Sequence, residues 1–498
     1  MTDVQTHTLE QLLQGCEAEQ LHLSGAIQSF GAMLRIDANS LIVTHASANL
    51  KDFVGTDPTA LLGRSIDESG WLTAQQIAML AERVGQTSAI RGVIDDALGR
   101  VDALLIRGEG CILVELERNN TPSEPIALQQ LQISFLSAPQ NHEEMEHFHQ
   151  LLVSAFRQII GFDRIMIYRF APDWSGEVIA EATVSGVGSY LGLRFPASDI
   201  PAIARDLYMI NPARMIPDAS AAVVPVLCVD ASIPDLTRSD LRSASEVHLV
   251  YLANMGVTAS FSVPIRLNGH LWGLVACHHH LAQVLTPDQR HACVVLTNTY
   301  ALGLSSFVSG QRLKTIDNLD RRIEGVLEKL AAYADPLDGI ETNGQALMDA
   351  LGAQGFALAI KDNVVINGEG PGVDELAVID DWFVNHCKNL ILNTDHLADL
   401  FPHNELVLSV ASGMMAIKAQ SPRSGWVRFY WFRQAEPQQV AWAGNPNKPI
   451  SENAGAIALS PRRSFERWVE IKSDYSRPWT REEQIIASKF RNNLLRWL

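Results

Sequence analysis

Between residues 199 and 278 the chain collects side chains that could together hold a ligand: Asp199, Tyr208, Arg214, Arg242, Ser245, His248, Tyr251, Ser260, Ser262 and His278. Two arginines suit a ligand with two carboxylates, because a guanidinium pairs with a carboxylate through two parallel hydrogen bonds. An acid facing an imidazole suits a ligand that carries N–H donors. Ser245, His248 and Tyr251 share one face of a helix read over 243–252, a place that also suits a satisfied, semi-buried histidine. Cys277-His278-His279-His280 closes a strand and invites a metal reading. Adjacent strand residues point to opposite faces, so at most two of these histidines could share an ion, and no Asp or Glu stands at ligand spacing; no metal is expected. The chain has no P-loop, G-x-S-x-G, zincin or kinase ATP motif, so no turnover is expected of it.

These residues need a rigid wall, and Arg194-Phe195-Pro196-Ala197-Ser198-Asp199-Ile200-Pro201 offers one. Its prolines fix φ, lack an N–H, and push Phe195 and Ile200 toward extended geometry. Asp199 then either faces a ligand or caps the short helix that follows. Cys16 sits in a polar N-terminal stretch with little packing to explain it. It reads as a chance exposed thiol or as a functional one.

At 498 residues, about three domains are expected. A 47% hydrophobic and 19% charged composition is that of folded protein, and the formal charge of −17 argues against nucleic-acid or anionic-membrane surfaces. The first basic residue is Arg35 and the longest apolar run, near 406–417, is too short to span a bilayer. The six cysteines lack zinc spacing. A soluble, reduced, cytoplasmic protein is expected.

The elements read as α+β throughout. Met33–Ile36 and Leu41–Val43 form a hairpin, helices follow at 47–54 and 75–84, and strands at 103–106 and 111–116. Met145, Phe148, Leu152, Phe156 and Ile159 mark an amphipathic helix over 142–160, before strands at 165–170, 178–182 and 271–276. Thr286-Pro287-Asp288-Gln289 is a capping box opening a helix with no proline before Pro336. On it Ile316, Leu319, Ile323, Val326 and Leu330 form a seam for a coiled-coil partner or for its own domain. Strands are expected at 357–360, 406–410, 414–417 and 427–432, and a capped terminal helix over 484–498. The polar excursion 434–462 is long enough to be functional.

Pro196-Ala197-Ser198-Asp199-Ile200-Pro201, Leu241-Arg242-Ser243 through His248 to Asn254-Met255-Gly256, and Leu271-Trp272-Gly273 running into Ala276-Cys277-His278-His279 resemble the signatures of bacteriophytochromes. Gly444-Asn445-Pro446 and Ser460-Pro461-Arg462-Arg463-Ser464-Phe465-Glu466-Arg467-Trp468 resemble that family's tongue. The resemblance implies three tandem α+β domains with antiparallel sheets: a PAS domain over 21–130 after an N-terminal extension of 1–20, and a GAF domain over 131–310. A spine helix over 311–336 and a PHY domain over 337–498, with its tongue near 434–475, would follow. It implies red/far-red sensing by Z/E photoisomerisation of covalently bound biliverdin IXα, a homodimer along the spine, and an output kinase or cyclase domain outside this chain.

The resemblance assigns roles as well. Cys16 would bond the pigment. The backbone of Asp199 together with His248 would hold the pyrrole nitrogens, and Arg214 and Arg242 the propionates. Tyr168, Tyr190, Phe195 and Tyr251 would shape the ring D pocket and His278 would meet its carbonyl, with Ile200 in the same wall. A knot is implied near Gly25–Gln28, and switching through Asp199, Arg462 and Ser464. Residues 460–471 suit both a strand and a helix, as a two-state element requires. Ser29-Phe30, Ser24 and Ala443 depart from the family pattern. The rival expectation is a non-photochemical sensor of a cyclic nucleotide or haem, which would not need Cys16.

Overall fold

A computed structural model describes residues 19–97, 99–119, 128–333, 336–361, 363–402, 411–421, 425–446, 450–453, 456–459 and 464–497. Cys16, Arg462 and the strand expected at 406–410 lie outside the described residues. The rest is mixed helix and antiparallel sheet, in two compact units: residues 1–307 with 441–468, and residues 308–440 with 469–498.

The first unit holds two sheets. One runs, in spatial order, Ala26–Gln28, Val223–Cys228, Val43–Ser47, Gly31–Asp37, Cys111–Asn119, Gly99–Arg107 and Thr87–Asp96. Alternating apolar residues (Ala32, Leu34 and Ile36; Val101, Ala103 and Leu105; Ile112, Val114 and Leu116) bury one face in a shared core. The helix expected over 75–84 stops at Ala78, after Thr73 and Gln76 close a capping box. Beyond it Leu80 is buried while Met79 and Val84 are exposed.

Val223–Cys228 belongs to the second half of the unit yet pairs with Ala26–Gln28 on one side and Val43–Ser47 on the other. The far edge of Ala26–Gln28 is also taken: Gln28 N donates to Leu241 O at 2.7 Å and Ser243 N to Ala26 O at 3.1 Å. The Gln28 side-chain amide donates to the carbonyls of Met215, Asp240 and Arg242 at 3.0, 3.3 and 3.2 Å. Residues 26–28 are therefore enclosed by the loop 223–243.

The second sheet runs Arg214–Ile216, Ala259–Leu267, His270–His279, Arg164–Phe170, Gly176–Thr183 and Arg194–Phe195, to which Trp442 adds a parallel pairing with Arg194. One face packs on helices His142–Ile160 and Pro287–Ala331 through Phe148, Leu152, Phe156, Leu296, Tyr300 and Leu304. Phe148 stacks on Tyr300 with centroids 5.2 Å apart. A Cβ on Gly303 would lie 2.6 Å from the Phe148 ring, so this glycine lets the two helices approach. The long helix opens with the expected capping box: Thr286 N donates to Gln289 Oε1 at 3.0 Å and Gln289 N to Thr286 Oγ1 at 3.2 Å.

Arg290, one turn further, makes a bidentate pair with Glu117 of the first sheet at 2.6 and 3.0 Å. Burial opposes its charge, but Glu117 and Asp240 outweigh burial and hold its pKa above the ordinary value. Removing one partner of such a pair costs about 3–5 kcal/mol, because the other charge stays buried.

At ~1.5 Å rise per residue, the 45-residue helix Pro287–Ala331 is about 67 Å long. Its segment Pro287–Asp317 contains an 18-residue window of mean hydropathy 1.3, long and apolar enough to cross a membrane by length and composition, a run not apparent in the sequence pattern above. Ala292, Cys293, Leu296, Tyr300 and Leu304 of that segment face the core instead, which accounts for its apolar character.

The second unit is a five-stranded antiparallel sheet in the order Asn363–Gly368, Gly355–Ile360, Gly425–Arg433, Gly413–Ser421 and Ile391–Thr394. Helix Val373–Asn385 covers one face and helices Gly344–Leu351 and Arg481–Trp497 the other. The terminal helix is capped as expected, Thr480 N donating to Glu483 Oε2 at 2.8 Å. The coiled-coil reading of the Ile316–Leu330 seam is corrected here. Ile323, Val326 and Leu330 are buried with Phe356, Leu358 and Met415 of their own sheet, so these three positions are core and cannot also face a partner; the side chain of Leu319 lies outside the description.

Candidate functional site

The face of the second sheet turned away from the two helices lines a cavity of about 1770 Å³, mouth included. Strand alternation builds one wall. Ser260 pairs with His278 and Ser262 with both Ala276 and Arg214, so Ser260, Ser262, Ala276, His278 and Arg214 border one space. Met166 and Tyr168 extend that wall from Arg164–Phe170. Gly176, which pairs with Phe170, lies under the Tyr168 ring: a Cβ there would sit 1.7 Å from it, so only glycine leaves the tyrosine room.

The Phe195–Pro201 segment forms a second wall, with Phe195, Asp199 and Ile200 lining the cavity. Asp199 is not a helix cap: Pro201 occupies the N-cap of Ala202–Ile210. Asp199 Oδ2 instead accepts from Tyr251 Oη at 2.9 Å. Tyr208, on that helix, bonds Ser262 Oγ at 2.7 Å. Helix Glu246–Asn254 supplies the third wall, with His248 stacked on Tyr251 at 6.1 Å between centroids. Ser245, at the N-cap of this helix, donates to Glu19 Oε2 at 2.9 Å.

Arg214 and Arg242 enter from the floor. Arg214 donates to the carbonyls of Asp240 (2.9 Å) and Arg242, and Arg242 to those of Leu236 and Thr237 (3.3 and 3.2 Å). Burial lowers the pKa of both, and with Arg214 as the second cause Arg242 is drawn down to about 9. Neither makes an ion pair with a carboxylate among the described residues. Burial also lowers the imidazoles: His248 to about 4, with Arg214 as the second cause, and His278 to about 3, with Arg164 and His248 contributing. His278 Nδ1 is buried and has no hydrogen-bond partner among the described residues. The cavity thus presents two guanidiniums with no ion pair among the described residues, two neutral imidazoles, the carboxylates of Asp199 and Glu19, and mostly apolar walls. That set suits an elongated apolar ligand with acidic arms and polar N–H or carbonyl groups.

The structure brings together Tyr168, Phe195, Asp199, Ile200, Tyr208, Arg214, Arg242, Ser245, His248, Tyr251, Ser260, Ser262 and His278 around this space. Tyr190 stands behind the wall, edge-on to Phe195 at 5.7 Å and beneath the Arg164 guanidinium at 3.8 Å. Ser464 is exposed beside a second depression that also takes in His278, Glu466 and Arg467. Glu19 and Leu21 line the main cavity and were missed, having no signal beyond their nearness to Cys16. Ala443, where the family pattern has glycine, is fully buried with Tyr168, Phe195 and Phe465. Gly444 beside it has φ +79°, and a Cβ would sit 2.0 Å from Ser464 O, so this close crossing of the excursion's two arms needs glycine. One argument about the histidine run is overturned: a carboxylate does join it, since Asp163 lies with His279 and His280 in one cluster.

Residues 16–119 match the family model for a PAS fold, 144–304 that for a GAF domain, and 320–498 that for the phytochrome region. The chain is 32% identical over 502 residues to cyanobacterial phytochrome B of Nostoc sp., covering 97% of this chain and 66% of that protein. It is 30% identical over 486 residues to a bacteriophytochrome of Xanthomonas campestris pv. campestris, covering 94% of this chain and 76% of that one. The crystal structure of a bacteriophytochrome from R. palustris superposes with a TM-score of 0.80 at 29% identity, over 96% of this chain and 98% of that chain. The chain spans about two thirds of the length of the first relatives, 66% for the Nostoc protein and 64% for a phytochrome-like protein of Synechocystis sp.. With its PAS, GAF and phytochrome regions in that order, the chain belongs to the phytochrome family of light-sensing photoreceptors, as a PAS–GAF–PHY photosensory module.

Proposed function

We propose that this module senses red and far-red light through biliverdin IXα held in the cavity and bonded to Cys16. The pigment would supply the absorption and the reversible Z/E isomerisation of a double bond next to ring D. The observation that carries the reading is the pair Arg214 and Arg242, buried with no carboxylate partner among the described residues, which matches two propionates. His278, with a buried Nδ1 lacking a partner, suits a carbonyl at the other end of the ligand. Cys16 lies three residues before Glu19, and three residues reach at most about 10 Å. Glu19 itself lines the cavity, so a thiol at Cys16 is within range of a ligand there.

The chain's own residues then have definite tasks. Arg214 and Arg242 anchor the acidic arms, while His248 and Asp199 flank the N–H groups. Tyr168, Phe195 and Tyr251, with Tyr190 behind them, bound the moving ring. Switching passes to the excursion through Asp199, Arg462 and Ser464, and the response belongs to an output domain in the part of the relatives that this chain does not cover. The described arms of the excursion are extended here, with Ile450–Asn453 paired to Ala456–Leu459. Trp468, Val469 and Ile471 are 38, 40 and 63% exposed, apolar surface that a helical form of the same stretch could bury.

The test is to add biliverdin IXα to the purified chain and record its spectrum before and after red light. A red band that shifts reversibly to the far red is expected. A chain that takes up no pigment, or takes it up without photoconversion, rules the reading out. In Cys16→Ser the pigment should still assemble but leave the chain on a denaturing gel, read by zinc-induced fluorescence of the band.

A further inference from the structure

We propose that Asp163, His279 and His280 form a site for one divalent transition-metal ion of the zinc, nickel or copper class. The site is separate from the pigment cavity and does not depend on the pigment reading.

Sheet register assembles it. Strand His270–His279 runs antiparallel to Arg164–Phe170 with His278 opposite Arg164, so His279 ends opposite Asp163, which precedes its own strand. His280 lies beyond the strand end, where the rule that neighbours point to opposite faces no longer binds it. Both rings consequently turn to the same carboxylate: His279 Nδ1 is 2.9 Å and His280 Nδ1 2.5 Å from Asp163 Oδ2. The three ligand atoms lie within 4.8 Å of one another. In a tetrahedral site with metal–ligand bonds of about 2.0–2.1 Å the donor atoms stand about 3.3 Å apart, so an ion requires the cluster to open by less than about 1 Å.

Three features point to a ligand beyond the cluster's own contacts. His279 Nδ1 is buried and makes no directed hydrogen bond despite its short distance to Asp163, so its ring is aimed beside the carboxylate oxygen rather than along a bond to it. The donors are held in place: Phe162 stacks on the His279 ring at 5.3 Å, and Thr258 donates through N to His279 O at 2.9 Å and through Oγ1 to His280 O at 2.8 Å. His280 is 63% exposed, which leaves an open side for the ion to enter and for water to complete its coordination. Two imidazoles and one carboxylate with an open position form a donor set that transition metals accept readily.

The same depression takes in Ser464, Glu466 and Arg467 of the excursion. An ion held by His279 and His280 would stiffen the strand end next to those residues.

The test uses the chain free of pigment, so that no tetrapyrrole nitrogen competes for metal, stripped with a chelator and titrated with Zn²⁺ in a calorimeter. One equivalent is expected to bind, with X-ray absorption showing two imidazole nitrogens and a carboxylate oxygen. His280→Ala, at an exposed side chain, should leave the fold intact by circular dichroism and weaken binding at least about tenfold. Asp163→Asn should do the same, and Cys228→Ser, in the separate cluster His45, Cys228 and Asp230, should change nothing. Absence of stoichiometric binding, affinity unchanged in His280→Ala, or loss in Cys228→Ser instead would each overturn the assignment.

Discussion

Tyr251 donates its phenolic proton to Asp199 Oδ2 at 2.9 Å and meets the Phe465 ring edge-on, 5.2 Å between centroids. One side chain of helix Glu246–Asn254 therefore touches both the cavity carboxylate and the base of the excursion. Any change of charge or hydrogen bonding at Asp199 is felt by a ring that packs on the excursion.

Tyr251→Phe keeps the packing on Phe465 and removes the donor to Asp199. Pigment uptake should be unchanged, while the yield of the photoproduct or its rate of dark reversion shifts several-fold. Absorbance kinetics after a red pulse measure both. Values equal to those of the parent would remove this hydrogen bond from the switch.

His248→Ala takes an imidazole from beside the proposed pyrrole nitrogens. A protonated tetrapyrrole buried without that polar neighbour costs several kcal/mol more to keep charged. The red band should then bleach at a lower pH than in the parent. An identical alkaline titration would place His248 away from the chromophore's N–H groups.

Burial holds His149 down to about 4, Arg169 adding to it, as it holds His248 to about 4 and His278 to about 3. All three are neutral when folded and take up a proton on unfolding below their unfolded value near 6.5. Stability from this source is complete above that value and is lost as pH falls toward 4. Each contributes a slope of up to ~1.4 kcal/mol per pH unit. In the pigment-free chain the urea midpoint should drop between about pH 6.5 and 4, and His149→Gln should flatten that drop by one proton. His149, bonded to Tyr300 Oη at 2.7 Å, stands apart from the cavity, so the variant leaves the proposed site untouched.

Ile323→Glu puts a charge into the core of the second unit, where Ile323 is 3% exposed. A loss of more than about 3 kcal/mol is expected, seen as early melting of that unit. Leu313→Glu, at a position 65% exposed on the same helix, should leave melting unchanged. A stable Ile323→Glu chain with altered sedimentation would return the seam to an interface role.

Much of the fold could be read locally. The helix over 142–160 followed from apolar spacing, and the starts of the long and terminal helices from the Thr286 and Thr480 capping boxes. Phe195, Asp199, Ile200, Arg242, Ser245, His248, Tyr251 and His278 were legible because each lies in a motif, whereas Tyr168, Tyr208, Arg214, Ser260 and Ser262 lie outside the motifs and were picked out by residue type or by the family resemblance. What escaped depends on contacts far apart in sequence. Strand Val223–Cys228 carries Pro225 at its centre, which argues against a strand by rule. It is tolerated because Pro225 sits where the strand passes from one neighbour, Ala26, to the other, Ser47 beside Val226. The Asp163 cluster escaped for a related reason: sheet register, invisible in spacing, sets Asp163 opposite His279. The seam at Ile323 had two readings of equal periodicity, and only the sheet beneath it separates them.

The enclosure of Ala26–Gln28 by residues 223–243 sets a timetable for the chain's birth. During synthesis at roughly 5–20 residues per second, Val223–Cys228 leaves the ribosome about 10–40 s after the residues it must surround. Until then Val43–Ser47 presents a bare edge, and Gln28 lacks the carbonyls of Met215, Asp240 and Arg242 that receive its amide. The first sheet is thus begun early and closed late. Truncations ending before residue 243 should therefore leave that edge uncovered and emerge as sticky, unfinished proteins.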